Sequence, residues 1–132
     1  MEKSAVEGEV LVIGLGNPLL GDDSVGLRTA EAIRPLLATR PEIDVSEDFD
    51  GGLRLMERMI GYRRVVIIDA ITAGAAPGSV FTLQPGGPAT RRSAANHGID
   101  LLTALALGRH SGAELPANED IVLIGIQAGD VL

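Results

Sequence analysis

The sequence contains no cysteine and no tryptophan, and only one tyrosine and two phenylalanines. The lack of thiols excludes disulfides, thiolate metal sites and a cysteine nucleophile, and is compatible with a reducing cytosol. Any metal bound by this chain has to be held by histidine and carboxylates. Aromatic residues make up 2% of the chain but hydrophobic residues 45%. The core must therefore be built from Val, Ile, Leu and Ala, which suits a sheet packed between helices. Basic residues are also few, 11 against 18 acidic ones, for a formal net charge of -7. Such a surface repels phosphate backbones and anionic lipid, so nucleic acid is not an expected partner. No apolar run approaches the roughly 18 to 20 residues that span a bilayer. The opening MEKSAVEGEV is too acidic and polar for a signal peptide, so no membrane association and a cytoplasmic location are expected. A chain of 132 residues can bury one core but not two, which predicts a single domain over 1–132.

What is present is an alternation of two patterns. Glu9 to Gly14 is a short apolar run rich in β-branched residues and ended by glycine, which predicts a strand buried on both faces. A loop with three glycines and a proline follows. From Ser24 the spacing of Val25, Ala32, Ile33 and Leu36 fits a helical face that Pro35 should end near Arg34. Glu42 to Ser46 predicts a weaker strand and Gly52 to Ile60 a short helix. The most uniformly apolar strand is Val65 to Asp69, which the sequence predicts to stop abruptly at the carboxylate. Pro77 and Gly78 mark a turn into a strand at Ser79 to Leu83, Ile99 to Leu107 reads as helix, and Ile121 to Ile126 as the last strand. Strands alternating with helices predict an α/β fold: one three-layer domain with a mostly parallel, twisted sheet covered by helices on both faces. Parallel strands joined by right-handed crossovers present their carboxyl ends along one edge, where open α/β sheets place their ligands.

Two carboxylate positions fall on that edge. Asp22 and Asp23 lie in the loop after the first strand, and Asp69 ends the third. One of the loop pair is expected to cap the helix that starts at Ser24, and spacing does not say which. A carboxylate closing an apolar strand is costly unless it is paired, solvated or functional, which favours a role for Asp69. His97 precedes a helix, whose dipole disfavours imidazolium and leaves a neutral ring able to bind metal or act as a base. Two carboxylates and one imidazole leave coordination positions open, as in catalytic rather than structural sites, and accept nickel, zinc or iron alike. Metal affinity should fall at acidic pH, where the imidazole gains a proton and the carboxylates lose their charge. His110, in Gly108-Arg-His-Ser-Gly112, reads as a loop histidine.

The string Gly14-Leu-Gly-Asn-Pro-Leu-Leu-Gly-Asp-Asp-Ser-Val-Gly26 resembles the opening motif G-x-G-N-x-L-x-x-D-[DE]-x-x-G of the hydrogenase maturation endopeptidases. Val66-Ile-Ile-Asp-Ala70 with Ala76-Pro-Gly-Ser-Val80 resembles that family's apolar strand and following turn. Asn96-His97-Gly-Ile-Asp-Leu-Leu102 resembles its histidine segment, and Val122-Leu-Ile-Gly-Ile-Gln127 its late strand. The resemblance implies a phosphorylase/hydrolase-like fold and an endopeptidase that removes the C-terminal extension of a nickel-iron hydrogenase large-subunit precursor after nickel insertion. It implies Asp23, Asp69 and His97 as the catalytic, metal-contacting residues, with Asp22 left to capping. It also implies nickel, supplied by the substrate, with zinc or cadmium as other ions the site could take. Asn17 and Asp50 become candidate substrate contacts, although Glu47-Asp-Phe-Asp-Gly-Gly52 matches the family's D-x-G-T-x-G only loosely. Ser24 stands where glycine or another small residue is usual. Because the sequence ends at Leu132, the usual C-terminal helix is expected to be missing and one sheet face to lack its cover.

Other functions fit less well. The opening also resembles peptidyl-tRNA hydrolases, but those need basic surface. A dinucleotide site would want G-x-G-x-x-G, whereas Gly14, Gly16 and Gly21 are spaced G-x-G-x-x-x-x-G. A serine hydrolase using Ser24, His97 and Asp69 would need a sharper, glycine-flanked elbow than Asp22-Asp-Ser-Val-Gly26 offers. A relative that binds the precursor or a metal without cleaving is the remaining alternative.

Overall fold

A computed structural model of the protein describes residues 8–16, 24–49, 51–85 and 100–129. Their strands are β1 (Val10–Leu15), β2 (Ile43–Asp48), β3 (Arg64–Ile71), β4 (Val80–Leu83) and β5 (Ile121–Gln127), and their α-helices α1 (Val25–Ile33), α2 (Gly52–Met59) and α3 (Leu101–His110). The strands form one sheet in the order β2-β1-β3-β5-β4. The ladders joining β2, β1, β3 and β5 are parallel, and β4 lies antiparallel on the β5 edge. The mostly parallel α/β sheet read from the sequence is therefore the fold, with an antiparallel edge strand added to it.

Both faces carry helices. Leu11, Ile13 and Leu15 of β1 point the same way as Val65 and Ile67 of β3 and Ile121 and Leu123 of β5. There they pack against Leu55, Met56 and Met59 of α2 and Leu101, Ala104 and Leu105 of α3. Each fully buried aliphatic side chain of this layer contributes roughly 1.5–3 kcal/mol. The opposite face takes α1, whose Leu27 and Ala30 are buried. Farther along that face, Val122, Ile124 and Ile126 of β5 are half-buried.

Each helix ends where local chemistry ends it. Arg34 closes α1, and Pro35, unable to donate an amide proton, opens a separate 3-10 turn at Pro35–Leu37. The residue at the N-cap position of α1 is Ser24, whose side chain makes no capping hydrogen bond, and Asp22 and Asp23, expected to cap, lie outside the described residues. The carboxylate of Asp100 accepts the amide proton of Thr103 (2.9 Å) and caps α3. His110 is the last residue of α3 rather than a loop residue, because the helix runs beyond the predicted Leu107 and Arg109 ties its end to Pro116 O (2.7 Å).

Two contacts hold helices to the sheet at its carboxyl edge. At Gly26 of α1 the backbones meet so closely that a Cβ would lie 2.2 Å from Leu15 O and 2.4 Å from Ile68 O, and one on Gly14 would lie 2.2 Å from Gly26 O. The second is a clamp on Asp48, the last residue of β2. Its buried carboxylate accepts from Phe49 N (2.8 Å) and pairs with Arg54 (3.3 Å) and Arg58 (2.9 Å) of α2. Arg58 also donates to Ser46 Oγ. Gly26→Ala should therefore push α1 off β1 and β3 and cost at least about 2 kcal/mol in urea denaturation. Asp48→Ala should cost about 1–2 kcal/mol, limited because both arginines can regain water. A Gly26→Ala chain as stable as the parent would rule out the close packing of α1.

Candidate active site

The helix connections decide where a site can form. α1 follows β1 on one face, whereas α2 and α3, which lead into β3 and β5, lie on the other. From β1 the chain passes through α1 to β2 on one side of the sheet, and from β3 it passes to β4 and β5 on the other, so the crevice between β1 and β3 is the topological switch point of the sheet, the usual ligand site of such folds. α1 and α2 begin at this edge, since each runs back between parallel strands.

Asp69 stands at that crevice. The sequence predicts that β3 ends there, but the strand continues to Ile71 because its ladder with β5 continues, pairing Asp69 with Gly125, Ala70 with Ile126 and Ile71 with Gln127. On the other side the β1 ladder stops at Gly14 with Ile68, one residue short of Asp69. The aspartate is therefore inside the strand but next to the place where β1 departs. It is fully buried, and its Oδ1 accepts the amide proton of Ala70 (2.8 Å). A carboxylate so far from water is stable only where polar or charged groups compensate it.

Of the residues expected at the site, Asn17, Asp22, Asp23, Asp50 and His97 lie outside the described residues. Asp69 is the member of the expected ligand trio that lies within them. Among the described residues no three His, Asp or Glu side chains gather closely enough to hold a metal ion. A carboxylate beside the carboxyl end of β1 is nonetheless a suitable donor to a divalent cation, so Asp69 fits as one ligand of such a set. Ser24, the sequence neighbour of Asp23, is buried, and its hydroxyl accepts from Arg28 Nε (3.0 Å) one turn along α1. That contact makes Ser24 an anchor of the helix start.

Sequence reasoning missed two polar residues of this edge. Asp48 closes β2 on the same face as Leu15, its register partner in β1. Gln127 closes β5, buried, with its side-chain amide turned to the loop after β3. For Gln127 the signal was the one used for Asp69, a polar residue at the end of an apolar strand, whereas Asp48 ends the largely polar Ile43-Asp-Val-Ser-Glu-Asp48 and had no such signal.

No family model matches the chain. Among curated proteins it is 30% identical over 76 residues to the hydrogenase 2 maturation protease of Escherichia coli K12, a match covering 57% of this chain and 46% of that protein. It is also 30% identical over 75 residues to the hydrogenase expression/formation protein HupD of Rhizobium leguminosarum, covering 57% of this chain and 37% of that one. The chain thus spans less than half the length of these curated relatives. Among solved structures it resembles the NiFe hydrogenase maturation protease HycI of Thermococcus kodakarensis, with TM-score 0.68 and 25% identity over 96% of this chain and 78% of that one. The maturation protease HybD of the same organism gives TM-score 0.61 and 29% identity over 93% and 82%. In sequence and in fold, the chain is similar to proteins named as hydrogenase maturation proteases.

Proposed function

We propose that the chain is an endopeptidase that removes the C-terminal extension of a nickel-iron hydrogenase large-subunit precursor once nickel is in place, with Asp23, Asp69 and His97 contacting that nickel. The observation that carries the reading is the burial of Asp69 at the switch point between β1 and β3, where the loop bearing the opening motif begins. The far end of that motif returns to the same place, because Gly26 packs on Leu15 and Ile68, the residue before Asp69. Relatives named as hydrogenase maturation proteases support the substrate class.

In this reading the metal is part of the substrate. It polarises the scissile peptide or a water beside it, as a Lewis acid does. The chain supplies a rigid, water-poor crevice whose anionic donors meet a cation already held by the precursor. Asp69 is suited to this, since its strand is paired with β5 beyond the carboxylate and cannot swing away. Asn17 and Asp50 are proposed to contact the polypeptide near the cleavage point. The same ligand set would take zinc or cadmium in the absence of the precursor.

Incubating the chain with nickel-loaded and nickel-free precursor and following the precursor mass tests the proposal. The expected result is a mass drop for the nickel-loaded form alone, lost by at least about 100-fold in Asp23→Ala and in Asp69→Asn. Ser24→Ala should keep cleaving. Precursor bound but never shortened would make the chain a non-cleaving relative, and loss of cleavage in Ser24→Ala with metal affinity intact would move the chemistry to the serine. Thermal melts of Asp69→Asn separate lost chemistry from lost folding.

A further inference from the structure

The loop that leaves β3, residues 72–79, is built from Thr72, Ala73, Gly74, Ala75, Ala76, Pro77, Gly78 and Ser79, and most of it is exposed. The side chains of Ala73 to Ala76 are too short to anchor it. Gly74 and Gly78 take positive φ values of 74° and 87°, so the backbone turns twice in this stretch. Left to itself such a segment would sample many conformations, at roughly 1–2 kcal/mol of backbone entropy per residue fixed.

One residue holds it along its length. The side-chain Oε1 of Gln127 accepts the amide protons of Ala73 (2.8 Å) and Ala75 (3.3 Å). Its Nε2 donates to Ala128 O (3.2 Å), which fixes the orientation of the amide. Its backbone closes the other end of the loop, N–H donating to Ser79 O (2.8 Å) and the carbonyl accepting from Gly78 N (3.0 Å). Ala128 N then donates to Ile71 O (3.0 Å), where the loop begins. Gln127 is buried at 9% exposure, so its carbonyl oxygen has no ready supply of water to compete with these amides. Thr72 is three residues from Asp69 and hence no more than about 10 Å of extended chain away.

We propose that Gln127 is a positioning residue, which fixes loop 72–79 as the wall of the crevice against which the substrate polypeptide seats beside Asp69. This rests on the processing reading above. Gln127 itself need not touch the substrate. It acts through the loop backbone, whose amides it orders.

Amide hydrogen exchange and steady-state cleavage of nickel-loaded precursor, measured on the full chain, test this together. In Gln127→Leu the Ala73 and Ala75 amides should exchange about 10-fold faster or more. KM for the precursor should rise about 10-fold with kcat within about twofold, as when binding common to ground and transition states is lost. Gln127→Glu keeps an oxygen before both amides but loses the donor to Ala128 O, and should return only part of the protection and reverse only part of the rise in KM. Unchanged exchange in Gln127→Leu, or faster exchange with unchanged KM, would overturn the proposal, as would a fall in kcat at constant KM. If the parent itself does not cleave, the processing reading fails, and exchange with precursor-binding affinity in Gln127→Leu decides the role of the loop.

Discussion

The arrangement at the carboxyl edge depends on one close approach of backbones. Gly14 in β1 and Gly26 in α1 let the helix sit directly on the carbonyls of Leu15 and Ile68, at distances no Cβ would permit. Contact this tight brings dispersion from many atom pairs and sets the height of α1 over the sheet within a few tenths of an ångström. The loop between these glycines is thereby tethered at both ends to the crevice that holds Asp69. The glycines of the opening motif thus have a packing reason that is independent of any chemistry.

Around that contact the edge is stiffened by polar groups that face inward. Asp48 draws two arginines of α2 onto the end of β2. Gln127 gathers the loop after β3 onto the end of β5. Asp69 sits between them in a strand that stays paired on its β5 side. Buried polar groups of this kind are favourable only when their partners are complete, so each also fixes the geometry of its neighbours. Rigid framing is what a site needs if it must receive a metal held by another protein, because the ligands cannot be gathered by the metal itself.

Much of the fold was legible in the sequence. The uniform apolar runs of β1, β3 and β5 announced buried parallel strands, and Pro35 ended α1 at the expected place. Asp69 stood out in the sequence because charge at the end of an apolar run is expensive unless paired, solvated or functional, and the structure shows it buried. The end of β3 was misread for a physical reason: a carboxylate looks like a strand terminator, yet β5 continues alongside and keeps the ladder going to Ile71. Asp48 and Gln127 went unassigned because a polar residue closing a strand reads the same whether water or the protein satisfies it.

By itself the sequence determined the element alternation, the aliphatic core, the acidic character and the motif residues, since these follow from local periodicity and residue chemistry. Tertiary structure alone decided the strand order, the antiparallel edge of β4, the faces taken by α1, α2 and α3, and so the place of the switch point beside Asp69. Those depend on register and on backbones meeting across long sequence separations. Local pattern carries no record of which strand lies next to which.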